Sequence, residues 1–236
     1  MKILTSLFLN KKSSNINNIE MLNIKEKISD IYIFGNGPSL NNFDTEKFKN
    51  KFTIGTNRTW LWGNTNILIW RDHRITEEIN FFKIDKKNNS MWICSNDKSF
   101  IKNELNNYDY VKKHIDYTYN DNWIKKKLKM NIKWNGIIFH AITLAKHISW
   151  DATIHLIGVD LQLNNLENHH FFNKIPGFNQ GFYKRNWNPK NFNFESRLDM
   201  MYKNFETMKK NGFIFKNYSK DSKLKNLFGI EEIDQI

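Results

Sequence analysis

The chain has 236 residues and a formal net charge of +12, with 40% hydrophobic and 15% aromatic residues. This composition excludes a disordered or fibrous chain, and the length suits one domain with a sizeable core. A single cysteine, Cys94, excludes an internal disulfide framework and is typical of a reducing compartment. No stretch reaches the roughly 20 apolar residues of a membrane-spanning helix. We therefore expect a cytoplasmic protein.

The positive charge is spread along the chain as short pairs and triplets of lysine. A nucleic-acid binder more often concentrates its basic residues on one helix or set of strands, so we expect no nucleic-acid partner. A solvated basic surface is the simplest interpretation. The alternatives are attraction of a phosphorylated substrate and peripheral contact with an anionic membrane.

Residues 1–28 are predicted to be an N-terminal extension without a strand pattern, with a weak helix over residues 19–29 as the alternative, and residues 29–236 are predicted to be one α/β domain. Short apolar runs rich in β-branched residues predict buried strands within that domain. These strands are predicted at residues 30–34, 52–55, 66–70, 91–94 and 153–158, with a late strand at 213–215.

Helical spacing of apolar residues predicts helices at 77–82, 136–149 and 196–211, the last ended by Gly212. Short apolar strands alternating with helices indicate a Rossmann-like α/β fold, with a mostly parallel sheet and helices on both faces. Residues 160–195 are aromatic and lack periodicity, and we interpret them as a loop-rich lid over a ligand.

The first strand leads directly into Gly35-Asn36-Gly37-Pro38-Ser39. Glycines in a turn after a strand can expose backbone N–H groups to a phosphate, and the Ser39 hydroxyl can bind an anion. The third glycine of the dinucleotide fingerprint and the Gly-Lys-Ser/Thr of the P-loop are both missing. The alternative is a tight strand-to-helix turn without a ligand.

Polar residues and glycines also follow the other predicted strands and open the long helix. They are Asn57, Asp72, Ser95, Asn96, Asn135, Gly136, Gly158 and Asp160. In parallel α/β sheets, ligands bind along the carboxyl ends of the strands. Each residue alone could be a turn or helix cap, but the set together predicts a binding cleft.

The ordered set Gly-Asn-Gly-Pro-Ser-Leu, Thr-Asn-Arg, Cys-Ser-Asn, Asn-Gly and Gly-Val-Asp resembles the bacterial sialyltransferases that use CMP-activated nonulosonic acids. It is also similar to the motility-associated flagellin glycosyltransferases and the archaeal hydroxymethylpterin diphosphokinases. The resemblance covers about residues 31–170. It implies a Rossmann-like fold that binds a nucleotide or nucleotide sugar.

Carried over position by position, the resemblance implies that Asn36 and Ser39 contact the phosphate and sugar side of the nucleotide. Asn57 falls where the donor is held, and Asp72 replaces an asparagine of the sialyltransferases. The remaining positions would line the nucleotide pocket. These are Gly35, Gly37, Pro38, Ser95, Asn96, Asn135, Gly136, Gly158 and Asp160.

Three further features depart from the sialyltransferases. Ile132 stands where they carry an arginine, and no tyrosine follows Asp160 before Tyr183. The adjacent His169 and His170 lie earlier than their general-base histidine, at a spacing similar to that of the flagellin glycosyltransferases. Basic and tyrosine side chains in the lid could neutralise a leaving phosphate in place of the missing residues. They are Lys174, Tyr183, Lys184 and Arg185.

The first hypothesis is a glycosyltransferase that moves a sugar from a nucleotide-activated donor to a glycan or other acceptor without a required cofactor, and a CMP-activated nonulosonic acid is the favoured donor. His169 or His170 would be the general base, with Asp72 as a further candidate. The second is a pyrophosphoryl transferase using ATP and Mg²⁺, with Asp72 and Asp160 as metal ligands. The third is a nucleotide-binding module without activity. The other strand and helix histidines, His140, His147 and His155, are interpreted as packing residues.

Overall fold

The computed structural model describes residues 17–18, 27–86, 90–94, 108–118, 136–161 and 194–232. Eight strands in these residues form one sheet. In chain order they are β1 (Asn17–Asn18), β2 (Asp30–Phe34), β3 (Phe52–Thr56), β4 (Ile67–Trp70), β5 (Met91–Cys94), β6 (Tyr117–Thr118), β7 (Thr153–Ile157) and β8 (Phe215–Asn217).

The sheet has the order β1-β6-β5-β4-β3-β2-β7-β8, and every pair of neighbouring strands is parallel. The predicted parallel α/β sheet is therefore confirmed. The central strands β4 and β5 are buried along their whole length, as expected when helices cover both faces.

Five α-helices accompany the strands in the described residues. They are α1 (His73–Phe82), α2 (Asp109–His114), α3 (Ile137–Ile148), α4 (Phe194–Lys210) and α5 (Lys225–Phe228). Shorter 3-10 helices follow two of the strands. They lie at Pro38–Asn42, Thr45–Phe48 and Asn57–Leu61.

One face of the sheet packs against α3 and α4. Ile31, Ile33 and Ile54 project from β2 and β3 into a core that includes Phe139 of α3 and Phe205 of α4. The rings of these two phenylalanines lie 5.1 Å apart and are both fully buried. Burial of each such side chain stabilises the fold by about 1.5–3 kcal/mol.

The opposite face is covered by α1, α2 and the first 3-10 segments. Tyr32 and Phe34 alternate with the isoleucines of β2 and pack against Phe48. Further along the sheet, Trp70 of β4 packs against Ile75 of α1. The period-2 alternation of β2 thus supplies two separate cores.

Several boundaries differ from the sequence-based predictions. The helix expected at residues 77–82 begins four residues earlier, because Asp72 caps its N-terminus. The late strand lies at Phe215–Asn217 rather than 213–215, because residues 211 and 212 still belong to the turn after α4. Asn17–Asn18 pairs with β6 although no strand was predicted in the extension. Most of the extension and residues 162–193 of the predicted lid lie outside the described residues.

The chain runs outward from β2 through β3, β4 and β5, then returns to place β7 on the other side of β2. Two connections therefore diverge at the carboxyl ends of β2 and β7, where parallel sheets commonly bind ligands. No helix in the described ranges is long and apolar enough to cross a membrane.

Candidate functional site

The glycine turn after β2 fits closely against the end of β7. The N–H of Gly35 donates to the Ile157 carbonyl at 2.7 Å, and the N–H of Gly37 donates to the Gly158 carbonyl at 2.8 Å. A Cβ on Gly35 would overlap the Gly158 carbonyl oxygen. Glycine is required at residue 35 because two backbone segments meet there.

The next N–H group of the turn binds a side chain of the protein itself. The N–H of Ser39 donates to Asp160 Oδ2 at 2.9 Å, and the Ser39 hydroxyl donates to Asp160 Oδ1. The hydroxyl of Ser219 lies 2.9 Å from that of Ser39. Ser39 and Asp160 are both buried. A Cβ on Gly37 would overlap the Asp160 carboxylate.

This arrangement differs from the expected one, in which the glycine turn and Ser39 contact a nucleotide phosphate. The anion that these groups bind in the structure is the Asp160 carboxylate, 121 residues away in sequence. Because both oxygens of Asp160 accept hydrogen bonds from Ser39, the contacts do not favour Asp160 as a Mg²⁺ ligand.

Asn36 connects the end of β2 to the end of β3. Its amide nitrogen donates to the Thr56 carbonyl at 2.9 Å and lies 2.9 Å from the Thr56 hydroxyl. Its amide oxygen accepts the N–H of Arg58 at 3.2 Å. The predicted site residue Asn36 thus fixes the backbone on both sides of Asn57.

Asn57, between these two attachments, adopts the left-handed conformation with φ 48°. This backbone region is uncommon for residues other than glycine, although asparagine tolerates it better than most. Among the residues that the structure describes, the buried amide oxygen of Asn57 has no hydrogen-bond partner. An unsatisfied buried acceptor costs about 1–3 kcal/mol, and such features concentrate at functional sites.

A buried ion pair anchors the segment that follows Asn57. Arg58 binds Glu78 of α1 through two hydrogen bonds, of 2.8 Å from Nε and 2.7 Å from Nη2. Burial lowers the pKa of Arg58 and raises the pKa of Glu78, and the attraction between the two charges opposes both shifts. The pair holds α1 against the 3-10 helix that begins at Asn57.

Asp72 directly precedes α1 and caps it. Its carboxylate accepts the N–H of Arg74 at 3.0 Å and binds the Arg74 guanidinium. Burial acts to raise the pKa of Asp72, but the hydrogen bonds and charge of Arg74 outweigh burial and the pKa is lowered. A general base needs the opposite shift. These contacts favour a structural role for Asp72 over the base or metal-ligand roles expected from the sequence.

Arg71 and His140 meet at the carboxyl end of β4. Arg71 follows β4 directly and is exposed, while His140 lies buried in the first turn of α3. Arg71 Nη1 lies 3.3 Å from His140 Nε2. Gly136, immediately before α3, has φ 117°, which is strained for any other residue. His140 was expected to be a packing residue; its position four residues after Gly136 is the sequence signal that places it at this edge.

The other predicted site residues lie outside the described residues. They are Ser95, Asn96, Asn135, His169 and His170. Among the residues that are described, the structure brings Asn36, Asn57 and Asp160 to adjoining strand ends. No cluster of three or more histidine, cysteine, aspartate or glutamate side chains suited to a metal occurs in that part of the chain.

A histidine cluster and a cavity lie away from this edge. His155 contacts Tyr218 Oη at 2.9 Å and Asp30 Oδ1 at 2.8 Å, and its ring stacks on Tyr32. A cavity of about 220 Å³ lies between Trp60 and Trp92, beside the segments that lead into β4 and β5. Since it adjoins the amino ends of these strands, the cavity is separate from the strand-end cluster.

Several solved structures that this chain resembles are sialyltransferases. The alpha-2,3-sialyltransferase Cst-I from Campylobacter jejuni matches 93% of this chain and 85% of its own, with 17% identity and a TM-score of 0.58. CstII from Campylobacter jejuni, solved with the substrate analogue CMP-3FNeuAc, matches 87% of each chain with 15% identity and a TM-score of 0.50.

A further CstII structure, with a trisaccharide acceptor and CMP, matches 86% of each chain with 15% identity and a TM-score of 0.50. At these identities the likeness establishes a shared fold. No family model matches the sequence, and no curated protein matches it.

Proposed function

We propose that this protein is a glycosyltransferase that transfers a sugar from a nucleotide-activated donor, with CMP-activated nonulosonic acids as the favoured donor class. The fold it shares with Cst-I and CstII supports this proposal, because those structures belong to enzymes of sugar transfer. Fold likeness alone does not specify an activity. Support for the activity must therefore come from the geometry of the site.

The observation that carries the proposal is the backbone conformation of Asn57 together with its unsatisfied amide oxygen. The protein holds this side chain at a strand end with an uncommon backbone conformation and an unsatisfied buried amide oxygen. Both features oppose folding. A donor group on a bound nucleotide or sugar would satisfy the oxygen, since such ligands carry amino and hydroxyl groups.

The proposed binding mode places the nucleotide along the carboxyl ends of β2, β3 and β4. Asn36 acts by positioning Asn57, and Asp160 acts by fixing the glycine turn rather than by touching the ligand. Gly136 allows the backbone to enter α3 with φ 117°. Ser95, Asn96 and Asn135 remain predicted nucleotide contacts.

The proposed chemistry is a displacement at the anomeric carbon. The acceptor hydroxyl loses its proton to His169 or His170, and its oxygen forms the new bond to that carbon. The bond between the anomeric carbon and the phosphate oxygen breaks, and the nucleotide leaves with the electron pair. Histidine suits this step because its pKa lies near neutrality. A glycan acceptor and a cytoplasmic location remain part of the proposal.

The alternative of Mg²⁺- and ATP-dependent pyrophosphoryl transfer is less well supported. Its expected metal ligands, Asp72 and Asp160, are engaged by Arg74 and Ser39. The alternative of a binding module without activity differs from the main proposal only in turnover.

A thermal-unfolding panel with CMP, UMP, GDP and ATP, each with and without Mg²⁺, tests the proposal. Binding to the folded state raises the unfolding temperature. We expect stabilisation by CMP without Mg²⁺. Stabilisation by ATP only with Mg²⁺ would instead favour pyrophosphoryl transfer, and no stabilisation by any nucleotide would refute both.

Turnover separates the transferase from an inactive binding module. With CMP-sugar donors and a glycan acceptor, wild-type protein should release CMP, while the variant carrying His169→Ala and His170→Ala should bind CMP and release none. Full activity of that variant would remove the assigned base.

A further inference from the structure

A cavity on the face of the sheet that α1 covers has an apolar floor. Leu68 of β4 and Trp92 of β5 are paired in the sheet, so their side chains lie beside each other on one face. Both residues are almost fully buried and line the cavity of about 220 Å³. The half-buried Trp60 forms another part of its lining. The floor therefore offers aromatic and aliphatic carbon to a ligand.

The rim of the same cavity is polar. Asn64 and Asp85 line it and are both exposed. Thr65 and Ser90 add hydroxyl groups to the lining. These four residues come from two separate segments, one before β4 and one before β5, and together they provide hydrogen-bond donors and acceptors. An apolar floor with a polar rim suits a ligand that has one apolar face and polar groups around its edge.

A neighbouring ion pair fixes the position of Trp92. The Lys86 ammonium binds the Asp116 carboxylate and donates to the His114 carbonyl at 2.7 Å. Asp116 also accepts the backbone N–H of Trp92 at 2.8 Å. These contacts hold the floor of the cavity in place before any ligand binds, which reduces the entropy cost of binding.

The charges around the cavity favour a neutral ligand. Lys86 Nζ already lies 5.9 Å from the centre of the Trp92 ring, so a second cation at this ring would be repelled. The Asp85 carboxylate at the rim repels an anion. The cavity is smaller than the pockets of about 300–1,000 Å³ that hold drug-sized ligands, so it has room for one ring. A pyranose meets these conditions, because its C–H groups can pack on an indole while its hydroxyls reach the rim.

We propose that this cavity binds one neutral pyranose ring of a glycan, at a site separate from that of the sugar nucleotide. Trp60 and Trp92 contact the C–H groups of the ring. Asn64 and Asp85 bind its hydroxyls. The cavity adjoins the amino ends of β4 and β5, whereas the strand-end cluster lies at the carboxyl ends, so the inference does not rest on the proposed function.

Saturation-transfer NMR of the whole protein with glucose, galactose and N-acetylglucosamine tests the site. We expect at least one of these neutral sugars to bind with a dissociation constant in the millimolar range, which is ordinary for a ligand of this size. A saturating concentration of CMP should leave the affinity for that sugar unchanged. Tetramethylammonium, as a cation, and cytidine, as a nucleoside, should not displace the sugar.

Two variants with matched controls localise the binding. Trp60→Ala removes an indole from the lining and should weaken the affinity for the sugar at least about tenfold. Trp150→Ala, at a partly exposed tryptophan after α3, should bind as wild type. Asp85→Ala changes an exposed residue, so it should fold as wild type and still bind the sugar more weakly. Asp151→Ala, at an exposed aspartate, should leave binding unchanged.

The outcomes separate this proposal from the proposed function. Binding of none of the three sugars would overturn it, whether or not CMP binds at the carboxyl edge. Displacement of the sugar by tetramethylammonium or cytidine would overturn the choice of a sugar as the occupant, and displacement by CMP would overturn a separate site. A folded Asp85→Ala protein with wild-type affinity for the sugar would exclude this cavity. A protein that binds the sugar but no nucleotide would contradict the proposed function alone.

Discussion

Ser39 binds Asp160 through its backbone N–H and its hydroxyl, across the point where the chain order of the sheet reverses. This contact joins the glycine turn to the end of β7 and fills the position where a phosphate was expected. The contact gives the turn a structural role. The proposed ligand therefore lies nearer to the ends of β3 and β4.

Removing the Ser39 hydroxyl tests the contribution of the contact with Asp160 to stability. Ser39→Ala leaves a buried carboxylate oxygen of Asp160 without its donor, and we expect a loss of about 1–3 kcal/mol in the free energy of unfolding. Urea denaturation measures this loss. Asp151→Asn is the control, because Asp151 forms an exposed ion pair with Lys27 and such pairs contribute about 0–1 kcal/mol. Equal stability of Ser39→Ala and wild type would contradict a structural role for the contact between Ser39 and Asp160.

The close fit at Gly37 gives a second prediction. Gly37 has φ −68°, which alanine adopts readily, so any cost of Gly37→Ala must come from overlap with the Asp160 carboxylate. Overpacking of this kind typically costs about 1–3 kcal/mol. Thermal unfolding should show a lowered midpoint. If Gly37→Ala unfolds like wild type, the two loops are not in the contact described.

The buried pair between Arg58 and Glu78 predicts that its loss destabilises the fold more than the loss of an exposed ion pair. Glu78→Gln leaves a buried guanidinium without its counter-charge, and removing one partner of such a pair costs about 3–5 kcal/mol. Glu46→Gln is a matched control, because the Glu46 ion pair with Lys49 is exposed. Denaturation midpoints of the two variants should differ clearly, and similar midpoints would argue against a buried pair.

The His155 cluster predicts a pH dependence of stability. Burial lowers the pKa of His155, and the hydrogen bond and charge of Asp30 only partly oppose this. The charges of Lys216 and Glu231 also act on the ring, and Tyr218 and Tyr32 contact it. Because the folded state favours the neutral ring, His155 contributes stability above its unfolded pKa of about 6.5 that is lost as pH falls through the folded value.

Urea denaturation at pH 7.5 and 5.5 measures this effect. Wild-type protein should be less stable at the lower pH, and His155→Gln should reduce the difference. His73→Gln, at a largely exposed histidine, should leave the difference unchanged. A His155→Gln protein with the full wild-type pH dependence would exclude His155 as its source.

The longer strands β2, β3, β4, β5 and β7 were predictable because each is a short, mostly apolar run that the sheet buries. β2 and β5 lie where the sequence indicated, from Asp30 to Phe34 and from Met91 to Cys94. The two-residue β6 and the six-residue α2 carry too few residues to show a period.

The strand-end residues were predictable as a set, but their partners were not. Ser39 and Asp160 are 121 residues apart, and Arg71 and His140 are 69 apart. Only the order of the strands brings such pairs together. The glycines of the turn illustrate the same limit, since a glycine that admits a phosphate and one that admits a neighbouring loop look identical in sequence.

Asn57→Gly tests the central claim, that this edge is built to bind a nucleotide, most directly. Glycine accepts φ 48° without strain and removes the unsatisfied amide oxygen, so the variant should unfold at the same temperature as wild type or higher. Calorimetric titration with CMP should nevertheless show affinity at least about tenfold weaker, while Asn42→Ala, at an exposed asparagine, binds as wild type. CMP affinity unchanged in Asn57→Gly would contradict the account.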